Sequence, residues 1–150
     1  TNDFSGRFNP GFKSVSCFQI NPFVKFKDFE FFGVFENTSG FSSDIEAQAG
    51  ATKGSYTQLG AEVLYRFGGW KQFYVAGRYN NVSGYDQFTT ASPQKDNKVV
   101  NRINIGGGWF MTKNVLTKLE YVNQTYNDMF TGNLNGSSFN GVMLEAVISF

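Results

Sequence analysis

The chain has 150 residues, which is room for one domain and hardly two. Thirteen basic and twelve acidic residues leave a net charge of +1, which excludes a polybasic nucleic-acid binder and an acidic solvating tail. Eighteen Phe, seven Tyr and two Trp are too many aromatics for a disordered chain. A mean hydropathy of −0.30, with no apolar run beyond Phe31–Phe35, excludes a bundle of membrane helices. Each such helix needs about 20 apolar residues.

Helical spacing of apolar residues is poor throughout, and two-residue alternation is strong. It predicts seven strands, at Ser14–Phe26, Phe29–Glu36, Thr57–Phe67, Gln72–Val82, Val99–Phe110, Val115–Tyr126 and Gly141–Phe150. Most are long enough for a tilted strand to cross a bilayer, which takes about 9–11 residues. Pro22 has no N–H for a ladder, so a bulge or an unpaired edge is expected in the first strand. The connections alternate in length. Lys27–Asp28, Gly68–Lys71 and Met111–Asn114 are short turns, whereas Asn37–Tyr56, Ser83–Lys98 and Asn127–Asn140 are long and polar. Short turns on one side and long loops on the other describe an outer-membrane barrel.

The alternation sorts the strands into two faces. One face is apolar and carries no charge. The other carries Lys25, Glu30, Glu36, Glu62, Arg66, Arg78, Arg102, Lys118, Glu120 and Glu145. An Arg or Lys facing lipid at the midplane costs about 2–4 kcal/mol, so the apolar face is expected to meet lipid and the charged face a lumen. The expected pore-lining residues are Lys25, Glu30, Glu62, Arg66, Arg78, Arg102, Lys118, Glu120 and Glu145. Five bases and five acids across the whole charged face predict no strong ion selectivity, which would need rings of like charge. The arginines are the best candidates for anion contacts, unless they brace the wall by pairing with glutamates. Phe26, Phe29, Phe67, Phe73 and Trp109 flank the short turns and are expected to form one aromatic girdle, with Tyr79 near the other interface.

The chain has no histidine, which removes Ser–His and Cys–His nucleophile pairs and the commonest metal ligand. A single cysteine, Cys17, makes no internal disulfide and no cysteine-rich zinc site, and reads as a small lumen-side residue. Glu62 and Glu120 are the candidates for acid–base work, but nucleophile, base and orienter cannot all be named, so no enzyme is expected. No cofactor and no metal are expected either. Gly106-Gly107-Gly108 lacks the Lys-Ser or Lys-Thr and the helix of a phosphate loop. Curvature or close packing is its expected role.

The stretch Gly106-Gly107-Gly108-Trp109-Phe110-Met111-Thr112-Lys113-Asn114, followed by Leu119-Glu120-Tyr121-Val122-Asn123-Gln124, resembles the late hairpin of bacterial porin-type barrels, among them those grouped as phosphate-selective. The ending, an alternating strand closing on Phe150, resembles the assembly signal of outer-membrane proteins. The resemblance covers the whole chain loosely and its last fifty residues or so well. It implies a single all-β domain over residues 1–150, a transmembrane antiparallel up-and-down β-barrel or the C-terminal part of one, in the bacterial outer membrane. It implies Val142, Leu144, Ile148 and Phe150 as contacts of the barrel-assembly machinery. Such chains begin and end on the periplasmic side with an even strand number. Seven strands therefore imply missing upstream strands, with Thr1–Lys13 as the tail of an outer loop. The rival is an eighth strand at Asp3–Phe8 closing a small barrel. The expected function is a porin for small hydrophilic solutes or ions. The alternatives are a closed barrel with an adhesive or structural role and a subunit of a larger envelope complex. Expected partners are outer-membrane lipids, the assembly machinery, and either further copies of the chain or that complex.

Overall fold

A computed structural model describes residues 11–41, 50–89, 97–127 and 135–149. The expected eighth strand at Asp3–Phe8, the terminal Phe150 and most of the expected outer tail lie outside the described residues. Eight antiparallel strands form one sheet: β1 (Ser14–Ile20), β2 (Phe23–Phe26), β3 (Phe29–Phe41), β4 (Gly54–Phe67), β5 (Phe73–Tyr85), β6 (Asn97–Thr112), β7 (Val115–Asn127) and β8 (Ser138–Ile148). From β3 onward each strand pairs with its neighbours in sequence, and β1 and β2 lie end to end along β3. Among the described residues the sheet is not closed: β1, β2 and β8 are its edges.

The break between β1 and β2 falls at Asn21–Pro22, where the ladder loses a donor. The Pro22 carbonyl still accepts from the Gly33 N–H at 2.8 Å. The proline ring occupies the space that Gly33 leaves, since a Cβ there would lie 2.8 Å from Pro22 Cγ. At the turn end, Lys27 takes a positive φ of 54° in the two-residue link to β3, and the Asp28 carbonyl accepts from the Arg66 N–H at 2.9 Å. A bulge between Phe110 and Thr112 ends the regular part of β6.

The largest departure from the sequence reading is at the long-loop side. β3 runs on to Phe41, β4 starts at Gly54, β5 reaches Tyr85, β6 starts at Asn97, β7 reaches Asn127 and β8 starts at Ser138. Segments expected as loop are therefore strand: Asn37–Phe41, Gly54–Tyr56, Ser83–Tyr85 and Ser138–Asn140. Asn, Ser and Gly disfavour strands locally, so these segments read as loop in the sequence. Cross-strand pairing from the adjoining segments carries the ladder through them, as in Asn37↔Thr57 and Tyr85↔Asn97. β3 to β7 run 13 to 16 residues, longer than a bilayer crossing needs.

Register fixes which side chains share a face. Glu62 pairs with Arg78, Arg78 with Asn104 and Asn104 with Val122, so in β3 to β7 the even-numbered residues lie on one face. Each wall of a groove of ≈ 630 Å³ comes from that face, and its lining spans β3 to β7. The sheet is therefore curled, with the even-numbered side of these strands inward. Phe29, Phe31, Val63, Tyr65, Val75, Ile103, Ile105, Leu119 and Tyr121 face outward. They are accompanied by Phe18, Ile20, Val24 and Phe26 on β1 and β2, and by Val142, Leu144 and Ile148 on β8.

The outward face changes character along the strands. From the short turns to Phe35, Leu59, Tyr79, Ile103, Tyr121 and Val142 it is apolar, broken only by glycines and Thr117. Beyond that level the outward positions are Ser, Thr or Asn, apart from Phe41, Tyr85 and Val99. The inward face mixes charged and apolar residues along its length. Phe32, Leu64 and Phe110 stand among the charges toward the turns. Toward the loops Arg102 and Lys98 stand near Val100 and Tyr126, which are buried with Val82 packed against them, and the Tyr56 ring lies 6.0 Å from Phe12. Among the described residues the buried apolar side chains are Tyr56, Val100, Val122 and Tyr126.

Gly106 is inward-facing in β6, and a Cβ on it would stand 2.6 Å from the Leu119 carbonyl oxygen and 3.1 Å from Glu120 Cα. Both are backbone atoms, so neither can rotate away. Gly106→Ala is expected to destabilise the fold by about 1–3 kcal/mol in denaturant unfolding of the folded chain. A stability equal to the parent would show that β6 and β7 are not packed this closely.

Candidate functional site

The inward face is assembled by cross-strand pairing. Lys25 sits opposite Glu30 and binds it at 2.9 Å, and Arg66 Nε reaches the same carboxylate oxygen at 3.1 Å. Glu62 sits opposite Arg78 and holds it through both Nε and Nη2. Lys118 sits opposite Glu145 and binds it at 2.7 Å. Eight of the expected lining residues thus fall into three ion-paired groups or, for Glu120, a hydrogen bond donated by Asn104 Nδ2. Glu36 accepts from Thr38 Oγ1 at 2.9 Å and from the Cys17 thiol at 3.6 Å. Cys17 is on the inward face, opposite Thr38.

Arg66 also stacks between rings, its guanidinium carbon 5.8 Å from the Tyr74 centroid and 5.7 Å from that of Phe110. The planar, weakly hydrated guanidinium suits such a place better than an ammonium. Arg78 and Arg66 are thus neutralised by direct neighbours and act first as braces of the wall. Arg102 lines the groove together with Glu36, Asn80, Gln58, Gln124 and Tyr126. Glu62 and Glu120 lie on β4 and β7, with β5 and β6 between them, and both line a second recess of ≈ 140 Å³ beside Gly106.

The residues that composition concealed are the neutral ones. Gln124 is buried and donates to the Tyr126 hydroxyl at 2.6 Å, and Asn104 is buried beside Glu120. The Tyr56 hydroxyl hydrogen-bonds to Asp86, whose carboxylate also pairs with Lys98. Their signal in the sequence was parity: each has the even number that the charged residues of the same strand have.

The outward aromatics form a continuous row along the turn end. Ring centroids lie 4.6 Å apart for Phe29–Tyr65, 6.1 Å for Tyr65–Phe67, 5.6 Å for Phe67–Phe73 and 6.0 Å for Phe73–Trp109. Phe26 sits opposite Phe29 and extends the row. Tyr65 also belongs to it, one residue beyond the set that flanks the short turns. Tyr79 lies at the far limit of the apolar zone, donating its hydroxyl to Asn101 Oδ1 at 2.9 Å. Val142, Leu144 and Ile148 stand outward on the edge strand β8 and are 70%, 73% and 59% exposed. No protein-family model, curated protein or solved structure matches this chain.

The Glu62–Arg78 pair tests how the wall is braced. Arg78 is about half exposed and Glu62 less so, so water screens their attraction. A double-mutant cycle with Glu62→Gln and Arg78→Gln in urea unfolding is expected to give a coupling of about 0.2–1 kcal/mol. A coupling above 2 kcal/mol would mean that the face is closed to water.

Proposed function

We propose that the chain forms the wall of a bacterial outer-membrane channel, a porin-type β-barrel through which small hydrophilic solutes or ions diffuse. One observation carries the reading. The outward face changes from apolar to polar partway along the strands. On the turn side apolar residues point outward and on the loop side Ser, Thr and Asn do, while charges stand inward on both sides, from Glu62 and Arg78 to Arg102 and Lys98. A sheet in water alone has no reason to change its outward surface partway. A sheet that passes from hydrocarbon into water must, because lipid and water reward opposite outward surfaces.

The magnitudes favour lipid as the neighbour of the turn-side face. Burying a large apolar side chain is worth about 1.5–3 kcal/mol, and Phe26, Ile105, Leu119, Val142 and Leu144 are each more than half exposed. The apolar zone runs from Leu59 to Phe67 on β4 and from Phe73 to Tyr79 on β5. At about 3.4 Å per residue that is roughly 20–27 Å along the strand. At the tilt of about 35–45° usual in outer-membrane barrels it covers roughly 14–22 Å of an apolar band about 25 Å tall. Free edges are not tolerated in hydrocarbon, where each unsatisfied backbone group costs several kcal/mol. In this reading the edges β1, β2 and β8 are covered by segments outside the described residues or by further copies of the chain. The lumen face carries ion pairs, amides and tyrosines and suits hydrophilic solutes. The outward residues of β8 serve as the assembly signal.

Two measurements test the reading. The chain has two tryptophans, Trp109 on the outward face and Trp70 in the turn before β5. In vesicles of lipid brominated on the acyl chains, the fluorescence of the Trp70→Phe variant is expected to fall by more than half; an unquenched Trp109 would remove the membrane reading. In planar bilayers, Arg78→Glu combined with Arg102→Glu is expected to shift the reversal potential toward cations. An unchanged potential would take these residues out of the conducting path.

A further inference from the structure

Each of the three short turns carries an exposed lysine: Lys27, Lys71 and Lys113. Lys27 and Lys71 are the two non-glycine residues of positive φ among the described residues, at 54° and 63°. In a tight turn that conformation favours Gly, Asn or Asp, and it costs energy for other side chains. Local backbone preference therefore does not explain a lysine at either place. What lysine adds there is its ammonium.

These lysines adjoin the outward aromatic row. Lys27 Nζ lies 5.4 Å from the centroid of the Phe26 ring, which faces outward and is 66% exposed. Lys71 comes two residues before Phe73, and Lys113 four residues after Trp109. The one acid in these turns is Asp28, and Lys71 binds it. Three lysines against one aspartate leave the turns with a net charge of +2. Lys27 and Lys113 form no ion pair among the described residues. The inward acids toward the turns, Glu30 and Glu145, are held by Lys25, Arg66 and Lys118. The turn end is thus a cationic rim set directly against large exposed rings.

In the channel reading the aromatic row lies where acyl chains give way to headgroups. The turns just beyond it then stand among the headgroups, and a lysine stem can follow apolar surface while its ammonium reaches the polar layer. A zwitterionic headgroup offers these lysines no net charge. An anionic headgroup offers a phosphate with no ammonium beside it, and Lys is an established partner of such groups. We propose that the turn-end rim docks the phosphates of anionic phospholipids through Lys27 and Lys113, with the aromatic row seated in the acyl chains below them. The inference rests on the membrane-wall reading and adds its lipid partner.

The test uses the full folded chain in three bilayers: phosphatidylcholine, phosphatidylcholine with phosphatidylglycerol, and phosphatidylcholine with a cationic diacyl lipid. The readout is the unfolding temperature at low salt. Phosphatidylglycerol is expected to raise it by about 3 °C or more over phosphatidylcholine, with no rise from the cationic lipid. Salt near 1 M is expected to remove most of the rise, because it shortens the Debye length to about 3 Å. Lys27→Asn combined with Lys113→Gln is expected to lose at least half of the rise while changing little in phosphatidylcholine. Asparagine tolerates the left-handed backbone at position 27, so the turn is kept. Lys113→Gln alone, expected to lose part of the rise, serves should the pair fail to fold. Lys53→Gln, at the loop end, where its ammonium lies 5.4 Å from the Phe41 centroid, is expected to keep the rise. Equal temperatures in the three bilayers, an equal rise with the cationic lipid, an undiminished rise in the turn variants or an equal loss in Lys53→Gln would overturn the proposal. So would the same rise from inorganic phosphate added to phosphatidylcholine bilayers, since a free anion would then be the ligand. Insertion without a phosphatidylglycerol effect sinks this inference alone. A chain that enters none of the bilayers sinks the membrane reading with it.

Discussion

An extended strand gives each residue one of two faces, and antiparallel pairing makes every strand of a sheet agree on which is which. That constraint governs the rest of this protein. Lys25, Glu30, Glu62, Arg66, Arg78, Lys118, Glu120 and Glu145 come from six strands, yet one register brings them all to the inward face. A slip of one residue in any ladder would turn that strand's charges outward and its phenylalanines inward. Each misplaced Arg or Lys would then cost about 2–4 kcal/mol at a bilayer midplane. Register is strongly specified here because both faces report on it.

The energies divide unevenly between the faces. The inward ion pairs are half exposed and contribute little each, so they order the wall more than they hold it. The outward face contributes more, through large side chains, and only if something apolar covers them. Among the described residues the buried apolar side chains are only Tyr56, Val100, Val122 and Tyr126. A sheet with so small a core is poorly stabilised by its own packing. Its stability depends on what covers the outward face.

Much of this was legible in the sequence. Alternation placed all the ladders, the short turns and both faces, because a two-residue period reports directly on side-chain direction. Pro22 marked the break in the first strand because a missing donor is a local property. The strand ends on the loop side were not legible. Asn37–Phe41 and Ser138–Asn140 carry residues of low strand propensity, and cross-strand hydrogen bonds override that preference. The same residues conceal the polar end of the outward face, which reads as loop until register sets its members side by side. On the charged face, the sequence distinguished acids from bases but not which base each acid would hold. Glu30 serves two cations, and Glu120 is held by Asn104 instead. Such choices depend on diagonal neighbours and side-chain reach, which a single chain position does not encode.

The up-and-down strand order also bears on how the sheet can grow. From β3 on, no strand waits for a partner far along the chain, so every ladder closes across a single hairpin. The entropic cost of closing a loop rises with its length, and local pairings form fastest. Growth can therefore proceed one hairpin at a time from any point, and each intermediate carries a live edge. The two ends of that process are unlike. At one, Pro22 splits the edge into two short pieces, β1 and β2. At the other, β8 offers eleven unbroken residues as a template. Whatever pairs with these edges meets a blunt end and a sticky one, so the two edges of the sheet are not interchangeable.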